Sequence, residues 1–201
     1  MKSLYIAIII ILISCQGVNA GNKEPNDPNY PSDPNELIRT KWDAVISVLR
    51  TKDLDQKTRE KKINKIVSPI FDFPLMAKLS LGKEHWTEFT VPQREKFTRL
   101  FVERLRISYR EKIAVYTDEQ VVFKPAMKKK STIYIPMELK SKDKKIALMH
   151  KLRKVDKRWK VYDVEIQGIS ILLTYRSQFN DILSKGTVED LLSRLEELPT
   201  Q

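Results

Sequence analysis

The sequence predicts an α+β fold, one curved antiparallel sheet covered on one side by several helices. Two observations carry this. Apolar residues recur at helical spacing up to about residue 113, alternate at strand spacing from Gln120, and return to helical spacing after Gly168. The strand-period region holds three long alternating sets at hairpin spacing, which reads as an antiparallel meander.

The first helix follows Ser32 or Asp33 as cap, with Pro34 in its first turn and an apolar stripe of Leu37, Ile38, Ala44, Val45, Val48 and Leu49. A charged helix over 55–67 ends before Pro69. Phe71, Phe73, Leu75, Met76, Leu79 and Leu81 crowd a short helix that Gly82 stops. Thr90 and Gln93 stand at capping-box spacing. The long helix behind them carries Phe97, Phe101, Leu105, Tyr109 and Ile113 at intervals of four, one continuous apolar face.

Val121, Val122 and Phe123 form a short strand stopped near Pro125. Ile133, Ile135, Met137 and Leu139 alternate with Thr132, Tyr134, Pro136 and Glu138; Ile146, Leu148, His150 and Leu152 form the next set. Lys157 and Arg158 make a turn, after which Trp159, Val161 and Asp163 continue on one face. One sheet face is then apolar and the other basic and wet. Residues 169–183 are helical, Gly186 ends that helix, and Thr187 to Asp190 starts a last amphipathic one.

Residues 1–20 read as an export signal: Lys2 is a minimal basic start, and 4–13 is an uncharged apolar run too short to span a bilayer of about 30 Å. Two cleavage readings stay open. Val18-Asn19-Ala20 suits ordinary signal peptidase, whereas Leu12-Ile13-Ser14-Cys15 looks like a lipobox that would lipidate Cys15, the only cysteine. No intramolecular disulfide is possible. Residues 21–34, with Pro25, Pro28, Pro31 and Pro34, form a flexible tether, and 35–201 is one domain.

The net charge is +11, and between Gln120 and Arg176 there are 15 Lys and Arg against 5 Asp and Glu, so the excess sits on the strands. Such a balance suits an anionic surface or acidic partner, and export argues against nucleic acid. Catalysis is poorly supplied. The two histidines are His85, in a turn, and His150, in an apolar strand face. No spaced His/Cys set offers a metal site, and Ser170 lacks the glycines of a nucleophile elbow. His150 with Asp163 is the one acid–base pair visible, so an isomerase- or dehydratase-type enzyme is kept as a rival reading. Asp163 and Arg176 are expected to meet if the Gly168 turn folds the last helix back over the sheet.

The stretch 159–179, WKVYDVEIQGISILLTYRSQF, resembles the motif W-x-V-Y-D-V-x-x-x-G-V-S-L-x-x-x-Y-R-x-x-F of the MlaC and toluene-tolerance family of periplasmic phospholipid-transfer proteins. Trp159, Val161, Tyr162, Asp163, Val164, Gly168, Ser170, Tyr175, Arg176 and Phe179 fall in register, with Ile169 and Ile171 replacing Val and Leu. FDFPLMAKLSLGKEHW at 71–86 and the helix over 89–109 are similar to the family too, so the resemblance covers about 37–198.

The resemblance implies a cone akin to nuclear transport factor, with an internal lipid cavity between sheet and helices. Its expected walls are Leu75, Met76, Leu79, Phe97, Phe101, Leu105 and Tyr109 on helices, facing Ile133, Ile135, Met137, Leu139, Leu148, Val161 and Leu172. The same residues would also make an ordinary dry core. Tyr162, Asp163, Tyr175 and Arg176 are candidates for the lipid headgroup or for a helix–sheet ion pair. The implied protein is a monomeric, non-enzymatic shuttle in the periplasm of a Gram-negative-type bacterium, with no cofactor and a phospholipid as cargo. It would serve outer-membrane lipid asymmetry. Its implied partners are an inner-membrane ABC transporter with a lipid-binding substrate-domain ring and an outer-membrane lipoprotein–porin complex. Lys128, Lys129, Lys130, Lys142, Lys144 and Lys145 would steer docking to acidic surfaces. A hopanoid or quinone as cargo is the remaining alternative.

Overall fold

The computed structural model describes residues 30–113, 120–141 and 145–197, the side chains of 107–113 excepted. The readings placed on the export signal, Cys15, Lys142, Lys144 and the side chain of Tyr109 therefore lie outside the described residues.

Aspartates start the first helices. Asp33 accepts from Glu36 N at 2.8 Å to open α1 (Pro34–Arg50), and Asp55 accepts from Thr58 N at 2.9 Å to open α2 (Gln56–Val67). Each such cap contributes about 1 kcal/mol. A single 3-10 turn, Ser68–Ile70, leads to α3 (Phe73–Glu88). Thr90 and Gln93 then form the expected box at the head of α4 (Val91–Ile113): Gln93 Oε1 accepts from Thr90 N at 2.8 Å, and Thr90 Oγ1 from Gln93 N at 3.4 Å.

Gly82 was expected to stop α3, but the helix breaks there and resumes. Its φ of 77° and ψ of 166° are open to glycine and strained for other residues. No helix among the described residues is long and apolar enough to cross a membrane.

The strands are β1 (Gln120–Phe123), β2 (Met127–Lys129), β3 (Thr132–Lys140), β4 (Lys145–Val155), β5 (Arg158–Ile166) and β6 (Ile169–Ser170). All pair antiparallel in the order β1-β3-β4-β5-β6. β2, which the sequence reading missed, shares the β3 edge with β1: β1 covers Met137 to Lys140 and β2 covers Thr132 to Tyr134, with Pro125 between them. Proline cannot donate to the ladder, so the edge strand divides there.

The predicted curved, cone-forming sheet is corrected. The sheet is open and not strongly curled, and its outer strands do not pair with each other. One edge is broken at Pro125, and the other ends in the two-residue β6, which turns directly into helix α5 (Ile171–Leu183). Helices on one face of an open sheet satisfy the same apolar pattern as a cone does. The α+β layering is as expected, and only the closure differs.

A second correction concerns register. Strict alternation puts Trp159, Val161 and Asp163 on one face. The pairing shifts between Lys151 and Leu152: Lys151 faces Asp163, whereas Leu152 faces Val161. Tyr162 is the extra residue of a bulge, so Val161 turns into the core and Asp163 turns outward beside Lys151. The β4–β5 turn is tight, with Asp156 and Lys157 both left-handed at φ 47° and 68°. This geometry favours Asn-Gly. Lys157→Gly should relieve about 1–2 kcal/mol of left-handed strain against about 0.5–1 kcal/mol of added chain entropy. A thermal melt is expected to rise by about 1–2 °C.

Ser170 caps α5 by accepting from Leu173 N at 3.2 Å, and a reciprocal Thr187–Asp190 box opens α6 (Val188–Glu196). One apolar cluster joins the inner sheet face (Ile135, Met137, Leu148, Leu152, Val161) to helical residues of every layer, from Leu37 in α1 to Leu195 in α6. Within it, Phe97 and Phe101 of α4 meet Tyr175 and Phe179 of α5, with ring centroids 5.3 to 6.1 Å apart.

Candidate functional site

The expected wall residues come together, though not uniformly. Met76, Phe97, Phe101, Leu105, Ile135, Met137, Leu139, Leu148, Val161 and Leu172 are all buried in the one apolar cluster, with Ile133 half-buried against it. The helical members and the sheet members thus face each other across a single interior. Leu75 is half-buried and Leu79 is 38 % exposed, so the middle of α3 turns partly to solvent. A groove of 120 Å³ between Lys124, Glu138, Met149 and Glu165 shares only Met137 and Leu148 with those walls.

The four polar candidates divide into two places. Asp163, 5 % exposed, accepts from Lys151 Nζ at 2.9 Å, Ser170 Oγ at 2.8 Å and Leu172 N at 3.4 Å. The carboxylate therefore ties β4, the cap of α5 and the first turn of that helix together. Lys151 also pairs with Glu165. Burial works against the Lys151 charge, but the two carboxylates outweigh it and raise its pKa. Beside it on the outer face, burial and a hydrogen bond with Tyr134 push the Tyr162 hydroxyl up to about 12.

Asp163 does not meet Arg176. The Arg176 guanidinium instead lies on the α3 break: a Cβ on Gly82 would stand 2.6 Å from its Nε and 2.8 Å from its Cζ. α5 carries Arg176 along α3 rather than back over the sheet, and His85 of α3 reinforces that contact through Asn180 at 3.1 Å. Gly82→Ala combines a left-handed φ with this clash. It is expected to cost about 1–2 kcal/mol in chemical denaturation and to dislodge Arg176.

Two residues that sequence reasoning did not place in the site complete it. Trp42 of α1 is 2 % exposed and meets His150 of β4 edge-on, with ring centroids 6.1 Å apart. Trp42 follows Ile38 by four positions, so the helical stripe already pointed to it. Asp72 caps α3 by accepting from Leu75 N at 3.2 Å and takes both Nε and Nη2 of Arg153, at 2.6 and 2.5 Å, on one oxygen. That pair locks α3 to β4. No group of three or more His, Cys, Asp or Glu among the described residues is placed to hold a metal ion.

An apolar interior between one sheet and a helical layer, with an exposed arginine held at a helix break, raises the question of kinship. A family model described as MlaC protein matches residues 39–197, most of the chain and all of the layers above. The chain belongs to the MlaC family. The fold is also similar to that of a phospholipid-binding protein from Ralstonia solanacearum solved in complex with a phospholipid. The TM-score is 0.74 at 23% sequence identity, covering 82% of this chain and 96% of that one. No curated protein matches the chain. The MlaC match spans the W-to-F block at 159–179 and the wall residues of α3 and α4 alike.

Proposed function

We propose that this chain is a non-enzymatic phospholipid carrier of the periplasm. Membership of the MlaC family carries the reading, and the fold shared with a protein solved around a phospholipid supports it. The two acyl chains enter between the α4–α5 aromatic cluster and the inner face of β3–β5. Burying each methylene there contributes roughly 0.8 kcal/mol, without needing precise polar contacts. The walls touch one another, so loading requires the helical layer to part from the sheet. An open sheet allows this more readily than a closed barrel.

The headgroup sits at the rim near Arg176, whose guanidinium lies against Gly82 and suits a phosphate. Asp163 and Tyr162 hold the neighbouring bulge rather than the lipid. The rival enzyme reading needs His150 and Asp163 together. They lie on opposite faces of the sheet, His150 opposite inward Val164 and Asp163 opposite Lys151.

Cargo passes between an inner-membrane ABC transporter with its substrate-domain ring and an outer-membrane lipoprotein–porin complex, sustaining outer-membrane asymmetry. Lys128, Lys129, Lys130 and Lys145, all exposed, steer docking. A fluorescent phospholipid moving from donor to acceptor vesicles faster with protein than without is the expected result. Arg176→Ala should slow that transfer several-fold while leaving the thermal midpoint nearly unchanged. Transfer no faster than the protein-free rate sinks the proposal.

A further inference from the structure

Trp42 Nε1 and His150 Nδ1 are both buried without a hydrogen-bond partner, on two rings that meet edge-on inside the apolar interior. Burying one polar atom without a partner is costly, and here two such atoms lie on adjacent rings of facing elements, so one polar group reaching that contact would relieve both. Trp42 Nε1 can only donate, whereas His150 Nδ1 donates in one tautomer and accepts in the other. A single carbonyl oxygen satisfies both by accepting from each.

The surroundings exclude a charged occupant. His150 is flanked in register by Ile135 and Val164, and along its own strand Leu148 and Leu152 face inward with it. The nearest cations in sequence, Lys151 and Arg153, point to the other face, where they hold Asp163, Glu165 and Asp72. A phosphate would find no countercharge here. Burial also holds the imidazole neutral, with its pKa lowered to about 4.

We infer that Trp42 and His150 form an interior hydrogen-bonding site for an ester carbonyl of the cargo, which makes the carrier selective for ester-linked glycerolipids. This rests on the carrier reading above and adds the substrate class. It also gives the cargo a fixed depth: the glycerol esters stop at the α1–β4 contact, with the chains beyond and the headgroup outward.

The test is competition, by native mass spectrometry, between diacyl phosphatidylethanolamine and its dialkyl ether analogue, offered in equal amounts in detergent micelles. The ether keeps headgroup and chains but lacks both carbonyls. Wild-type protein is expected to retain the ester form about three- to tenfold over the ether form, the range of one or two net hydrogen bonds. Trp42→Phe should lower that ratio through weaker ester binding, with ether binding unchanged; His150→Leu should do the same, and the double variant should bring the ratio to about one. Equal retention of both lipids by the wild-type protein overturns the inference, whether or not either variant folds, and assigns the pair to packing or to a structural water. Retention of neither lipid overturns the carrier reading together with this one, so the two failures are distinguishable.

Discussion

Phe101→Ala is expected to destabilise the folded chain by about 3–5 kcal/mol, the usual cost of emptying a fully buried aromatic site. Phe101 is 0 % exposed and stacks on Phe97 at 5.9 Å while meeting Tyr175 edge-on at 5.3 Å. Each aromatic pair adds about 0.5–1.5 kcal/mol beyond the area it buries. For a domain of this size the thermal midpoint should fall by roughly 2–4 °C per kcal/mol, hence by about 10 °C. Leu79→Ala, at a side chain 38 % exposed, is the control and should cost under about 1 kcal/mol. The contrast between two residues expected to line one wall shows where the interior ends. A fall of only a degree or two for Phe101→Ala would mean that α4 and α5 are not held together by these rings.

The second large effect is acid sensitivity. Burial lowers the His150 pKa from 6.5 to about 4, with no hydrogen bond to offset it. Between those values the unfolded chain binds a proton that the folded chain refuses, so stability rises with pH there and is lost as pH falls. The full loss is about 3 kcal/mol at pH 4 and below, from about 1.4 kcal/mol per unit. His85 works in the opposite sense: its hydrogen bond to Glu88 raises its pKa, burial opposing, and its contribution is lost as pH rises through the folded value. Comparing wild type with His150→Leu isolates the first effect. Denaturant midpoints from pH 7 to pH 4 should drop more steeply for wild type than for the variant. Parallel curves would show that His150 is hydrated or protonated in the folded state.

Most elements were legible because each carries its own local chemistry. Asp33, Asp55, Thr90 and Thr187 announce helix starts by side-chain capping, which depends only on near neighbours. The three long strands follow from alternation. What failed involved pairing. Nothing in WKVYDV marks Tyr162 as the bulged residue, because a bulge is a property of two strands, and it moved Asp163 to the face opposite Val161. The expected Asp163–Arg176 contact failed with it: Lys151 is twelve positions from Asp163 and reaches it only through register. Gly82 stops a helix by its residue type, yet here it permits a close approach by Arg176, visible only once α5 lies beside α3. The cone came from resemblance rather than from pattern, and alternation cannot distinguish an open sheet from a curled one. Trp42 and His150 sit on elements more than a hundred residues apart; the α1 stripe read from the sequence omits Trp42, and His150 is weighed there with Asp163 rather than with it.

Whether the apolar interior carries a phospholipid is read out by native mass spectrometry of the purified protein, with extraction of its bound lipid. One two-chain phospholipid per protein chain is expected, released on denaturation and taken up again from liposomes. Protein that yields no lipid and takes none up from liposomes would contradict it and return Phe97, Phe101, Ile135 and Leu148 to an ordinary dry core.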